Sequence, residues 1–219
     1  MSDHSLMGFD IVSLLDNEFC KLKPRDQKVL TLKVFSDEPA TLEEIGRMYN
    51  IGGERVRQIK AQALSKVSRI VKPGGQLNAV CIAVREAIGL ALPLEVLLSL
   101  FPALSCPVEA AECAATWRVI ERLDRSFEVK DNWCACPSIS EARSLTLDGL
   151  IRAAGATGII KTDAIEGLGS AFPGSWDKGH ITAWLEYCGF SIRGDEVSIN
   201  RGPRGAGVGH DRRAIGLII

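Results

Sequence analysis

Long apolar runs are missing from this 219-residue chain. The longest uninterrupted ones, such as Ala79-Val80-Cys81-Ile82-Ala83-Val84, fall far below the ~18 residues needed to cross a bilayer. Basic residues are missing where a secretory leader would need them: the first fifteen positions carry two Asp and neither Lys nor Arg, so export is not expected. Aromatics are scarce at 6% and histidine occurs three times. Paired C-x₂-C spacings are also absent. The seven cysteines are odd in number and scattered, so we expect reduced, mostly buried thiols in a cytoplasmic protein. What is present is an ordinary globular balance, 46% apolar and 24% charged. That balance excludes wholesale disorder, collagen-like repeats and a coiled-coil rod.

The net charge of −1 hides a segregated pattern. Residues 1–20 hold four acids and no base, whereas residues 21–75 hold twelve Lys or Arg against six Asp or Glu. Residues 76–200 reverse the balance, with ten bases and sixteen acids, and residues 201–219 are basic again. A basic block inside a near-neutral chain suggests a module facing a polyanion, joined to others that face elsewhere.

Within that block the periodicity is helical. Pro24 suits a helical first turn, and Val29, Leu30 and Leu32 follow it. Ser36-Asp37-Glu38-Pro39 is loop chemistry. Thr41 and Glu44 have capping-box spacing at the head of a short helix running to about Tyr49. Asn50-Ile51-Gly52-Gly53 breaks it, and a longer helix starts at Glu54. Val56, Ile59, Ala63, Leu64 and Val67 recur mostly at three and four residues and predict one buried face. The other face carries Arg55, Arg57, Gln58, Lys60, Gln62 and Lys66. A short helix, a Gly-containing turn and a basic second helix make a helix-turn-helix, whose second helix enters the major groove. Arg pairs with guanine through two hydrogen bonds, Gln does so with adenine, and Glu accepts from cytosine. Glu54, Arg55, Arg57 and Gln58 supply all three types in the first turn and a half.

The run Thr41-Leu42-Glu43-Glu44-Ile45-Gly46, followed by Glu54-Arg55-Val56-Arg57-Gln58-Ile59-Lys60-Ala61-Gln62-Ala63-Leu64, resembles region four of bacterial primary sigma factors. Leu22-Lys23-Pro24-Arg25 resembles the start of the same domain. The likeness spans about residues 22–70. It implies recognition of duplex DNA, with Glu54, Arg55, Arg57 and Gln58 as base readers, and Gln62 on the same face is expected to join them. It also implies backbone contacts at Arg25, Lys33, Thr41 and Leu42, to which the basic face of the second helix adds Lys60 and Lys66. Two departures stand out. Gly52-Gly53 replaces the usual Thr-Arg, losing a cap and a contact, and Gln62 replaces a common Lys.

The remainder departs from a sigma factor. Only 21 residues precede the motif, with Phe9 and Phe19 their only aromatics, so promoter melting is not expected. Pro73-Gly74-Gly75 marks a boundary. Beyond it, helices are expected over about 77–90, 93–100 and 109–123. A hairpin follows at Phe127-Glu128-Val129, Lys130-Asp131-Asn132, Trp133-Cys134-Ala135. The order repeats with helices over about 145–154, 162–168 and 175–187, then a hairpin from Phe190 to Ile199. Three helices and a hairpin is winged-helix order, and Phe127 and Phe190 open equivalent wings. The expected fold is therefore mainly α: a helix-turn-helix domain followed by two winged-helix-like units with small β-hairpins. The segments are an acidic N-terminal stretch (1–20), the helix-turn-helix (21–72), the two units (77–137 and 144–200) and a Gly/Arg-rich tail (201–219).

Each unit carries three more acids than bases and its third helix is not basic, which favours protein contact, while Arg118, Arg122 and Arg125 leave a secondary phosphate contact open. Catalytic groups do not assemble. Cys106, Cys113, Cys134 and Cys136 lack zinc spacing, with Cys113 expected mid-helix. His4, His180 and His210 share no motif, and Gly205-Ala206-Gly207-Val208-Gly209 lacks the Lys-Ser/Thr of a phosphate loop. No enzyme activity, metal, cofactor or membrane contact is expected. The expected function is a bacterial or phage-type, sequence-specific regulator of transcription that binds double-stranded DNA, with a homodimer on two half-sites as one arrangement. The alternatives are an adaptor that contacts RNA polymerase or another complex, and a DNA-associated subunit of a defence or recombination complex.

Overall fold

The computed structural model describes residues 10–154, 160–161, 178–193 and 196–199. The tail, the helix expected over 162–168 and Ser175 lie outside the described residues.

Helix α1 (Ile11–Cys20) starts on Asp10, whose carboxylate accepts the Ser13 N–H at 3.0 Å. Ile11, Leu15 and Phe19 fall four residues apart, so one face is apolar and all three are buried. Residues set apart in the sequence by their acids thus give a helix to the main core. The acids serve the other side, where Asp16 accepts the Ala110 N–H at 2.8 Å.

Helix α2 (Pro24–Leu30) continues as a wider turn over Thr31–Phe35. Helix α3 (Leu42–Tyr49) opens with the anticipated capping box. The Thr41 hydroxyl accepts the Glu44 N–H at 3.1 Å, and the Glu44 carboxylate accepts the Thr41 N–H at 2.7 Å. These bonds hold the Glu44 carboxyl below the usual carboxylate range. Helix α3 ends at Asn50 in the left-handed conformation, with the Ile51 N–H donating to Gly46. The turn passes so close that a Cβ on Gly46 would lie 2.6 Å from the Ile51 carbonyl oxygen. Helix α4 (Gly53–Val67) follows, and Val29, Ile45, Val56 and Ile59 close a small core among α2, α3 and α4.

After a further turn at Ser68–Ile70, the chain reverses at Gly74, where φ is +82°, and at Gly75. A Cβ on Gly75 would sit 2.3 Å from the Ile70 carbonyl oxygen, so the junction is a tight packed turn. Helix α5 (Asn78–Ile88), strand β1 (Ala91–Pro93) and helix α6 (Leu94–Leu100) come next. Residues 109–115, expected to be helical, are instead a single turn (Glu109–Ala111) flanked by strands β2 (Pro107–Val108) and β3 (Ala114–Ala115). Helical propensity in this Ala-rich run loses to long-range bonding. Thr116 donates its N–H and hydroxyl to the Cys106 carbonyl, and Ala110 is held by Asp16. Cys113 stands on an exposed turn with φ +63°, not inside a helix.

Helix α7 (Thr116–Asp124) precedes the hairpin of β4 (Glu128–Lys130) and β5 (Trp133–Ala135), turned by Asp131 and Asn132, both at positive φ. Strand β1 adds to β5, giving an antiparallel sheet in the order β1-β5-β4. Helix α8 (Ile139–Ala154) begins six residues earlier than its apolar pattern suggested, because Ser138 caps it through the Glu141 N–H. Strand β6 (Ile160–Lys161), helix α9 (Lys178–Tyr187) and strands β7 (Phe190–Arg193) and β8 (Glu196–Ile199) complete a second sheet, ordered β6-β8-β7. In both units a strand that follows the first helix joins the last strand of the hairpin, so the repeat is one of topology. The fold is mainly helical with small antiparallel sheets.

One hydrophobic core runs unbroken from Ile11 through Leu64 and Val67 of α4 to Ile120 of α7 and Cys134 of β5. Helix α4 therefore packs on α2 and α3 and adds Ala63, Leu64 and Val67 to this core. A separate aromatic cluster joins the two units, with Trp133 and Trp184 centroids 5.0 Å apart and Tyr187 stacked on Trp133 at 5.9 Å.

Candidate nucleic-acid interface

Helix α4 presents two chemically distinct faces. Val56, Ile59, Ala63, Leu64 and Val67 are buried, as their spacing predicts. Glu54, Arg55, Arg57, Gln58, Gln62 and Lys66 are all exposed, and Lys60 stands half-buried at the edge of that face. The five expected base readers therefore share one accessible stripe, densest in the first two turns.

The stripe is hydrogen-bonded to itself. Arg57 grips Glu54 with its fork, Nε to Oε2 and Nη2 to Oε1, each at 2.7 Å. Gln58 Nε2 donates to the same carboxylate at 3.3 Å, and Arg55 Nη1 donates to Gln58 Oε1 at 3.1 Å. Arg57 holds the Glu54 carboxyl below its usual range and is itself raised by that carboxylate. These bonds keep four long side chains in register at little energetic depth. Exposed ion pairs are weak and screened by solvent, so the pairing is readily exchanged.

The substituted pair at the helix start is equally clear. Gly52 is the N-cap, in extended geometry and with no side-chain cap, and Gly53 is the first helical residue. Nothing lies within 4 Å of a Cβ built on Gly52, whereas one on Gly53 would meet Glu43 Oε1 at 3.3 Å and Leu42 Cβ at 3.4 Å. Gly52→Thr is therefore expected to be accommodated and to stabilise by about 0.3 kcal/mol. Denaturant midpoints measure this, and a lowered midpoint would contradict it.

The expected phosphate contacts are placed unevenly. Lys66 is exposed. Arg25 is half-buried beside Asp26, with 3.5 Å between Nε and Oδ1. Lys33 donates to the Ala40 carbonyl at 2.8 Å and so pins the loop before α3, although an ammonium has two further donors. The Thr41 hydroxyl is engaged with Glu44 on both sides, donating at 2.9 Å and accepting at 3.1 Å. Leu42 heads α3, where first-turn N–H groups have no intrahelical partner.

The third helix of the first unit is not free to act as a groove reader. Helix α7 packs against the wider turn Thr31–Phe35, Arg118 pairs with Asp37 and its guanidinium lies 5.0 Å from the Trp117 ring. The cysteines are all free. Burial pushes the Cys81, Cys134 and Cys188 thiols up to about 12 and that of Cys136 to about 11, so they remain protonated. Cys20, Cys106 and Cys113 are exposed, against the expectation of mostly buried thiols. Among the described residues no cluster of His, Cys, Asp or Glu could hold a metal ion, and no helix is long and apolar enough to cross a membrane.

Comparison with known proteins concerns the helix-turn-helix segment. The family "Sigma-70, region 4" matches residues 20–69. RNA polymerase sigma factor RpoH of Caulobacter vibrioides is 36% identical over 61 residues, covering 28% of this chain and 21% of the relative. RNA polymerase sigma factor SigA of Microcystis aeruginosa is 46% identical over 65 residues, 29% of this chain and 15% of the relative. SigA of Clostridium acetobutylicum is 48% identical over 48 residues, 21% of this chain and 13% of the relative. The chain spans about a fifth or less of the length of these relatives. No solved structure gives a significant match. The helix-turn-helix segment is thus similar to region 4 of RNA polymerase sigma factors.

Proposed function

We propose that the chain is a sequence-specific regulator of transcription that lays α4 in the major groove of duplex DNA. The observation that carries this is the joint exposure of Glu54, Arg55, Arg57, Gln58 and Gln62 on one stripe, on a helix whose other face is buried. Arg57 and Gln58 stand where two hydrogen bonds each can be made to a guanine and an adenine edge. Glu54 accepts from cytosine or orients Arg57, while Lys66 and the head of α3 meet phosphates. The absence of a side chain at Gly53 makes the preferred site differ from that of the sigma factors.

The two winged units act as the partner-facing part. Their net acid excess and the packing of α7 on the turn Thr31–Phe35 suit protein contact. RNA polymerase or a second copy of the chain are the partners this arrangement suits.

Selection of bound fragments from random duplex DNA, at about 0.1 M salt, tests the reading. One enriched motif spanning a single major-groove face is expected, with an affinity that falls as salt rises. Recovery of unselected sequence by a folded protein would sink it.

A further inference from the structure

A cleft of about 470 Å³ separates the helix-turn-helix from the first winged unit. Lys33 and Lys60 stand on one wall and Arg122 and Arg125 on the other, with Glu121 and Glu128 as its acids. Both acids are engaged with the protein. Glu128 accepts the Ile139 N–H at 2.9 Å at the head of α8. Glu121 is buried, its carboxyl raised chiefly by that burial, and Arg122 Nε lies 3.2 Å from its Oε2. Lys33 uses one donor on the Ala40 carbonyl, and the other cations are less engaged. Among the described residues neither Lys60 nor Arg125 forms an ion pair, and Arg122 meets Glu121 through Nε alone. Arg125 is exposed and sits just past α7 with φ +57°.

The position of Lys60 ties this cleft to the DNA-reading face. It lies one turn beyond Arg57 on α4, on the flank of the exposed stripe. The major groove is about 12 Å wide, so a strand walling it runs along the flank of an inserted helix. From there Arg122 and Arg125 face Lys60 across the cleft.

We propose that Arg122 and Arg125, acting with Lys60 and Lys33, form a second grip on the phosphate backbone of the same duplex that α4 enters. The first winged unit then contributes affinity without reading sequence. The proposal rests on the DNA-reading function above, and a test with two kinds of variant separates their failures.

Binding of the full chain to its selected duplex and to a scrambled one is measured across a salt series for the unsubstituted chain, Arg122→Ala/Arg125→Ala and Arg122→Lys/Arg125→Lys. For the alanine pair, the slope of log affinity against log salt is expected to shrink by about 1.8, at about 0.9 per phosphate. Binding to both duplexes weakens alike, so the preference between them is retained. The lysine pair retains the charges and restores the slope, which a merely structural role for the arginines would not do. An alanine pair with an unaltered slope, while the unsubstituted chain still prefers its site, overturns the second grip alone; so does a lysine pair that binds like the alanine pair. An unsubstituted chain that binds no duplex overturns both this proposal and the function it rests on.

Discussion

Replacing Arg57 and Gln58 together by alanine is expected to abolish the preference for one DNA site and leave the fold untouched. Both side chains are exposed, and their described partners are Glu54, Arg55 and each other's neighbours on the same stripe. Alanine is the better helix former, so the unfolding free energy should stay within about 0.5 kcal/mol of the parent. Each two-bond contact with a base edge contributes about 1–3 kcal/mol of discrimination. Two of them give about 2–6 kcal/mol, from roughly thirtyfold to more than ten-thousandfold. Losing Arg57 also leaves the Glu54 carboxylate without its guanidinium beside a negatively charged groove, which adds to the loss. Competition titrations against scrambled duplex read the effect directly. Full retention of site preference by the double variant would show that another surface does the reading.

The second large effect falls far from α4. Trp184 is fully buried, tilted 60° against Trp133 and 5.6 Å from Tyr187, and its indole N–H donates to Thr146 Oγ1 at 3.0 Å. Thr146 is itself buried and hands its proton to the Ala142 carbonyl at 2.8 Å. Trp184→Ala removes the largest side chain of the cluster between the two units and leaves an acceptor unsatisfied. Core deletions of this size cost about 3–5 kcal/mol. The main core does not include Trp184, so the second unit is expected to melt earlier, while residues 11–135 and DNA binding persist. Calorimetry should resolve two transitions in place of one. A single transition, shifted as a whole, would show that the second unit is cooperative with the rest.

How far the sequence reveals this arrangement depends on the range of the interactions. The helix-turn-helix is readable because its determinants are local. Thr41 and Glu44 form their box three residues apart, and the apolar spacing from Val56 to Val67 is the buried face itself. The strands β1, β2, β3 and β6 span two or three residues, too short for an alternating pattern to register. Residues 109–115 carry helical propensity and are overruled by bonds from Asp16, ninety-four positions away. The cleft was hidden for the same reason. Lys60 and Arg122 lie far apart in the chain, and only the shared core brings them face to face. In α1 the acids drew attention first, yet the four-residue spacing of Ile11, Leu15 and Phe19 was available in the sequence.

The packed reversal at Gly74 and Gly75, closed over a continuous core, gives the chain no swivel between α4 and the first winged unit. On the proposed function, a partner docked on that unit would keep a constant bearing about the duplex axis. Sites for two such assemblies therefore communicate in phase when separated by whole turns of about 10.5 base pairs, and fall on opposite sides of the double helix at half-turn offsets.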